Sequence, residues 1–334
     1  MSEPESRLLE VDGLSVSFGK GADEVTVVKD VSFVLHAGET LGLVGESGSG
    51  KSVTSLAVMG LVGHQGGRVS AGSIRLDGTD VTGLSARQWR RVHGEKIGMV
   101  FQQPIRSLDP SFTVGEQIAE SVRRHRGSSR SEARQVAVDM LARVKIRDPE
   151  RRASEYPHTF SGGMAQRVMI AMALACSPKV LIADEPTTAL DVTVQSAILD
   201  LLVELQHDLG IGIVFISHDL GVVAEISDRV AVMYAGEVVE TATTSELLTS
   251  PKHPYSLSLL RSIPRIGQGR RLVAIPGRVP PMDSMPEGCR FHPRCSLAVE
   301  SVCCRDDVPL LALPGGRHSR CNRVEALEKE VAKL

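Results

Sequence analysis

No apolar run in this 334-residue sequence approaches the roughly 18 residues that a membrane-spanning helix needs. The richest stretch, VMIAMALACSPKVLIA, is broken by Ser177, Pro178 and Lys179. The opening MSEPESRLLEVDG is charged and has no apolar segment of the secretory kind, so no signal peptide is expected. Neither sign of charge is in excess. There are 38 Lys and Arg against 40 Asp and Glu, a formal net charge of -2, with no basic stripe to follow a nucleic-acid backbone. These absences predict a chain made and kept in the cytosol, without nucleic acid as a partner. Cysteine is scarce too. Of six, Cys176 stands alone on an apolar stretch and reads as core, while the other five all follow residue 288. Disulfides are disfavoured in a reducing compartment, so clustered cysteines read first as metal ligands.

Apolar residues are plentiful at 42%, enough for a substantial core. Residues 8–44 read as strands, ending in the short buried strand TLGLVG. KSVTSLAVMGLV has helical spacing and is expected to stop near Gly63. GSIRLDGTDV reads as a hairpin turning at Asp77-Gly78. Residues 112–146 read as mostly helical, with RRHRGSSRSEARQ as a solvated helix end or loop. VLIADEP and GIVFISHD are buried-strand runs separated by helix, which predicts an α/β core with a largely parallel sheet. From Pro251 to Pro314 proline and glycine are frequent and periodicity is weak, so a domain boundary is placed near residue 250. The terminal EALEKEVAKL reads as a short amphipathic helix.

GESGSGKS, comprising Gly45, Glu46, Ser47, Gly48, Ser49, Gly50, Lys51 and Ser52, fits G-x-x-x-x-G-K-[ST] between a buried strand and a helix. Its glycines let backbone N–H groups close around phosphate oxygens, and the helix start adds a positive dipole end. Lys51 is expected to reach the β- and γ-phosphates, and Ser52 to offer its hydroxyl to Mg²⁺. In VLIADEP, Asp184 and Glu185 end a buried strand. Neighbouring side chains there point to opposite sides, which suits two roles. Asp184 would hold Mg²⁺ through water, and Glu185 would polarise the attacking water as general base. The competing reading of these acids is a helix cap.

Between the two motifs, FSGGMAQRVMIAMALA resembles the signature segment of ABC transporter ATPases. Gln102 in MVFQQP resembles the Q-loop glutamine, Asp191 in TTALD the D-loop aspartate, and His218 in FISHD the switch histidine. Phe18 stands where that family stacks an aromatic on adenine. The resemblance implies a P-loop NTPase core of ABC type, with an antiparallel β subdomain and a helical subdomain at about residues 105–165. It also implies two nucleotide-binding domains that clasp two ATP molecules head to tail. Ser161, Gly162 and Gly163 would then reach the γ-phosphate on the partner, His218 would contact the γ-phosphate, and Gln102 would join Ser52 and Asp184 around Mg²⁺. Met164 departs from the usual glutamine of the signature, which affects that side chain's contacts and leaves the glycine backbone intact.

FSGGMAQRVMIAMALACSPKVLIADEPTTALDVTVQ, HPYSLSLLRSIP, IPGRVPP and GCRFHPRC are similar to the oligopeptide/dipeptide importer ATPases, including their C-terminal extension. This resemblance implies residues 1–250 as nucleotide-binding domain and 251–334 as extension. It implies ATP hydrolysis that powers peptide import at the cytoplasmic face of the cell (inner) membrane. The partners would be two transmembrane permeases, a second homologous or identical ATPase subunit and an extracellular peptide-binding protein. Coupling to the permeases would run through residues 103–125. Nickel, glutathione and sugars are also carried in this family. A non-transport ABC ATPase acting on nucleic acid is the other class, but this chain has one nucleotide-binding domain and no coiled-coil or zinc insertion.

Soft thiolates select zinc or iron–sulfur clusters. The gaps from Cys289 to Cys295 and on to Cys303 or Cys304 are wide for a zinc knuckle and acceptable for a four-cysteine cluster on a loop. Buried thiols without metal and Zn²⁺ remain alternatives. The resemblance implies a [4Fe–4S] cluster on Cys289, Cys295, Cys303 and Cys321, with Cys304 as the alternative to Cys303. Counting forward favours Cys303, and counting back from DDVP favours Cys304. Such a cluster would staple an extension too poor in core to fold alone.

Overall fold

The computed structural model describes residues 6–188, 190–263 and 274–331. The first residues of MSEPES, Ala189 of TTALD, Pro264 of HPYSLSLLRSIP and the last three residues lie outside these. The chain forms two compact units that interleave in sequence. The first comprises Met1–Leu9, Val34–Glu39 and Arg75–Phe215, and the second Glu10–Phe33, Thr40–Ile74 and Ile216–Leu334.

In chain order the strands are β1 (Arg7–Phe18), β2 (Val25–His36), β3 (Thr40–Val44), β4 (Gly67–Leu76), β5 (Thr79–Asp80) and β6 (Ile97–Val100). They continue as β7 (Val180–Asp184), β8 (Gly212–Ser217), β9 (Arg229–Tyr234), β10 (Glu237–Thr243), β11 (Leu311–Leu313) and β12 (Arg317–Ser319). The helices that matter here are α1 (Lys51–Val58), α2 (Val114–Arg126), α3 (Arg130–Arg143), α4 (Gly162–Leu174), α5 (Val192–Leu209), α6 (Pro254–Ser262) and α7 (Val324–Val331).

In the second unit, β2, β1 and β4 lie side by side. Gly13 meets Ser32, Asp30 meets Ser15, and Ser17 meets Thr26, so the β1 numbers rise as the β2 numbers fall, the mark of an antiparallel pair. The same unit carries the order β11-β12-β10-β9-β3. Parallel pairing joins β3 to β9, and antiparallel pairing joins β9, β10, β12 and β11 in turn. The buried runs TLGLV and VAVMY supply the apolar centre of this sheet.

In the first unit, β8, β7 and β6 are neighbours, with β6 and β7 parallel. The hairpin at Asp77-Gly78 forms as expected. Arg75 pairs with Asp80 and Leu76 with Thr79, and both turn residues have positive φ (50° and 71°), as a two-residue type I′ turn requires. The charged run falls where α2 ends on left-handed Gly127 and α3 begins at a Ser129–Glu132 capping box. Ile118, Ala119, Val122, Ala137 and Leu141 form the buried faces of these two helices.

Two outcomes differ from the sequence reading. The helix after the phosphate loop ends at Val58, five residues short of Gly63. Gly60 adopts a φ of +66° there, and the Leu61 N–H returns to the Leu56 carbonyl, closing the helix in a Schellman-type turn. The Pro-rich segment also contributes regular structure. Beyond the expected α7, the extension forms α6 and adds β12 and β11 to the edge of β10, with Glu240 opposite Ser319 and Thr241 opposite His318. Strands of three residues carry too little alternation to be read from sequence.

Candidate functional site

The second unit carries the glycine loop. Fully buried β3 runs into Gly45, where a Cβ would lie 2.1 Å from the Met233 carbonyl oxygen. Only glycine lets the chain leave the strand that close to β9. Gly48 and Gly50 take φ of 80° and 100°, and Gly50 is the N-cap of α1. The loop turns through the Ser49 N–H to the Glu46 carbonyl (3.1 Å) and is anchored by the Gly236 N–H on the Ser49 carbonyl (2.9 Å). The Lys51 ammonium donates to the carbonyls of Gly45 (2.7 Å) and Glu46 (3.0 Å) and to Ser49 Oγ (3.4 Å), so it lies within the concave side of the loop. Ser47, Gly48 and Ser52 are exposed. Phe18, at the end of β1, is half-buried; a Cβ on Gly67 would come within 2.8 Å of its ring. His218 stands exposed just past the end of β8.

The outer edge of the loop is held by residues whose roles the sequence did not reveal. Tyr255 Oη accepts from the Glu46 N–H (2.9 Å). The Arg294 guanidinium grips both Glu46 carboxylate oxygens, at 2.5 and 3.0 Å. HPYSL and HPRC were visible as motifs, but a motif does not state which distant residue it meets.

The first unit carries the carboxylates. Asp184 closes β7 and is buried, at 6% exposure. Glu185 follows in the left-handed region (φ 47°), where a non-glycine residue is strained. Its Oε2 accepts from Gln102 Nε2 (2.7 Å) and from Thr188 Oγ1 (2.9 Å). Two residues chosen separately from sequence, Gln102 and Glu185, are therefore hydrogen-bonded partners. Thr188 is a third member that sequence reasoning missed, and no sequence pattern marked it.

The helix-cap role falls to Asp191 rather than to Asp184 or Glu185. Asp191 caps α5 by accepting from the Val194 N–H at 2.9 Å. Ser161 caps α4 through the Met164 N–H (3.4 Å) and is exposed, while Gly162, Gly163 and Met164 after it are half-buried. A Cβ on Gly163 would lie 2.5 Å from Val194 Cγ1, so the signature glycine admits the first turn of α5 beside it.

In the second unit, Cys289, Cys295, Cys303 and Cys321 line one small cavity, together with His253, Phe291 and His292. Cys304 does not line it. Gly288 makes this possible: with φ of 70°, a Cβ there would meet the Cys303 carbonyl at 2.4 Å, and the Cys289 N–H donates to that carbonyl. Backbone N–H groups donate to sulfur at Cys303 (from Val299, 3.5 Å) and Cys321 (from Arg323, 3.3 Å). Burial and the neighbouring thiols push the Cys289 thiol up to about 12 and Cys321 up to about 11, and burial also raises Cys295. A cation among them would reverse that preference. Four tetrahedral thiolates around one ion at ~2.3 Å put their sulfurs within about 4 Å of each other. Among the described residues no group of three or more His, Cys, Asp or Glu is arranged to hold one metal ion.

Nearby, His253 is fully buried and its pKa falls to about 3 through desolvation. Neutrality leaves Nδ1 able to accept from the Tyr255 N–H (3.1 Å) and so to cap α6.

A family model described as ABC transporter matches residues 28–188, and one described as Oligopeptide/dipeptide transporter, C-terminal region, matches residues 239–304. A putative peptide import ATP-binding protein of Brucella abortus (strain 2308) is 51% identical over 95% of this chain and 97% of its own. The dipeptide transport ATP-binding protein DppD of Escherichia coli (strain K12) is 48% identical over 94% and 96%. Among solved structures, the dimeric post-hydrolysis state of the ATP-binding cassette MJ0796 bound to ADP and Pi is 29% identical. It covers 71% of this chain and 99% of its own, with a TM-score of 0.62.

Proposed function

The chain belongs to the peptide-import ATP-binding subunits of the ABC transporter family, and from that premise we propose how its residues divide the work of ATP hydrolysis. The glycine loop binds the phosphates through backbone N–H groups of residues 45–52, and Lys51 exchanges loop carbonyls for β- and γ-phosphate oxygens. Ser52, Asp184 and Gln102 would hold Mg²⁺, which would neutralise phosphate charge when bound. Phe18 stacks on adenine. Glu185 takes the proton of the attacking water, and His218 contacts the γ-phosphate.

The observation that carries this reading is the Glu185 carboxylate, held by Gln102 and Thr188 at the end of a buried strand. A general base fixed from two sides costs less reorganisation at the transition state. Gln102 also ties the base to the segment beyond it, where Ile105 and Phe112 stand 58% and 52% exposed. Exposed apolar side chains of that size suit docking onto permease subunits. Glu185→Gln is expected to keep ATP affinity and to lower hydrolysis by about 10²–10⁴-fold. Wild-type turnover in that variant removes Glu185 as the base.

The reading extends to assembly. Two such domains clasp two ATP molecules, with Ser161, Gly162, Gly163 and Asp191 of each facing the nucleotide of the other. The second subunit is a homologous or an identical ATPase. Residues 1–250 form the nucleotide-binding domain, with a helical subdomain at about 105–165, and 251–334 the extension. Among the described residues no helix is long and apolar enough to cross a membrane, so two separate permeases carry the path and this subunit sits on their cytoplasmic face. The cargo is a di- or oligopeptide delivered by an extracellular binding protein. Stimulation of ATPase activity in the reconstituted transporter by peptide-loaded binding protein tests this, and stimulation by a nickel, glutathione or sugar carrier alone overturns it.

The four cavity cysteines, Cys289, Cys295, Cys303 and Cys321, fit a [4Fe–4S] cluster. Their shared cavity and the N–H···S contacts at Cys303 and Cys321 support a thiolate-bound group there. Such a cluster would join their separate segments as a covalent staple. Anaerobically purified protein should be brown, with absorbance near ~400 nm that dithionite bleaches. Colourless protein with stoichiometric zinc overturns the assignment.

A further inference from the structure

The extension has a polar attachment as well as a cysteine cavity. Among the described residues, four of its arginines are buried and each faces an acid outside the extension. Arg290 meets Glu237 (3.2 Å), Arg294 meets Glu46 (2.5 Å), Arg317 meets Glu240 (3.1 Å) and Arg320 meets Asp30 (3.0 Å). Three of these pairs end on strands β10 or the β1–β2 hairpin. The Arg294 pair alone ends on the phosphate loop. Arg294 is only 4% exposed in its side chain, and it is tightly fixed. Its Nε donates to the Pro276 carbonyl (2.7 Å), and its guanidinium lies 5.7 Å from the centre of the Tyr234 ring. Tyr234 packs on Tyr255 (4.8 Å between ring centres) and Phe291 (5.1 Å), and Tyr255 packs on Phe291 (5.3 Å). One aromatic cluster thus supports both groups that hold Glu46.

We propose that Tyr255 and Arg294 are positioning residues for the phosphate loop: they fix the backbone and side chain of Glu46, so that ATP affinity depends on the C-terminal extension. The proposal rests on residues 45–52 being the phosphate-binding loop. Glu46 is the point where the loop leaves Gly45, and its carbonyl already accepts from the Ser49 N–H. Fixing that peptide from outside sets the direction of the N–H groups that follow. A loop ordered before ATP arrives loses less conformational entropy on binding. Bidentate Arg–carboxylate geometry fixes orientation as well as distance, which a lysine would not reproduce. Because Arg294 directly precedes Cys295, the chain that shapes the cysteine cavity also shapes the nucleotide loop.

The test is a double-mutant cycle on the full chain, reading Mg–ATP affinity with a fluorescent ATP analogue and KM against kcat for ATP. Glu46→Ala and Arg294→Ala are each expected to weaken affinity about tenfold, the scale of one charge-assisted bidentate contact. The double variant should be no weaker than either single one, because one interaction is removed once. Arg294→Lys should recover part of the loss, and Tyr255→Phe should weaken affinity by a smaller factor. In each variant the rise in KM exceeds the fall in kcat. Glu46→Ala changes no residue of the extension and serves as the second variant should Arg294→Ala unfold it. ATP affinity unchanged in Glu46→Ala, or losses that multiply in the double variant, overturns the proposal. Lys51→Ala binding ATP like wild type overturns instead the loop assignment on which the proposal rests.

Discussion

The glycine loop and the cysteine cavity lie in the same unit and are built in opposite ways. The loop is eight consecutive residues, and its shape is a property of the backbone: Gly45 admits the Met233 carbonyl, and Gly48 and Gly50 take positive φ. The cavity draws on side chains from residue 253 to residue 323, gathered by tertiary packing. A site made of contiguous backbone is written in a motif. A site made of dispersed side chains is written only as a set of candidates. The loop nevertheless depends on the dispersed region, since Tyr255 and Arg294 hold its outer edge.

Changes in the contiguous site should have the larger effects. Lys51→Ala removes the ammonium that lies within the loop, and ATP affinity is expected to fall at least about 100-fold, the loss of two charge-assisted contacts. Titration with a fluorescent nucleotide checks this, and wild-type affinity would contradict the cradle. Gly45→Ala places a methyl group 2.1 Å from the Met233 carbonyl, a backbone atom that cannot step aside cheaply. A stability loss of about 1–3 kcal/mol is expected from such overpacking. Chemical denaturation reads it, and an unchanged midpoint would mean the strand end yields more easily than the geometry allows. The cysteine comparison is finer. Cys303→Ser should lower bound iron in anaerobically prepared protein, whereas Cys304→Ser should leave it unchanged, because only Cys303 lines the cavity. The opposite result would reverse the assignment and favour the count made back from DDVP.

The carboxylate end of the first unit falls between these extremes. Asp184 and Glu185 were visible as the end of an apolar run, and Gln102 by its resemblance to the Q-loop glutamine. Their hydrogen bond was not visible, because 83 residues separate them. Thr188 passed unnoticed for the opposite reason: a lone threonine in a turn carries no pattern. The helix cap expected as the rival role of the acids belongs to Asp191, a few residues on, where the helix in fact begins.

The same divide runs through the fold. Apolar alternation and turn chemistry identified the strands up to Val44, the Asp77-Gly78 hairpin, α2 and α3, and the two buried strands that carry the site. They did so because these elements bury a regular face or require a particular φ. The early end of α1 at Gly60 was missed because one glycine inside an apolar pattern reads as tolerable until its backbone is seen. The β11 and β12 strands and the four buried arginines were missed because their partners lie far away in sequence.

By itself, then, the sequence determined the nucleotide loop, the acid pair at the strand end and the family, since each rests on short-range order of residue types. Only the tertiary structure decided that Cys303 rather than Cys304 faces the other three cysteines, and that Glu46 is gripped by an arginine 248 residues away. Those outcomes depend on which side chains packing brings within reach, and an ion pair or a shared cavity leaves no spacing in the chain to announce it.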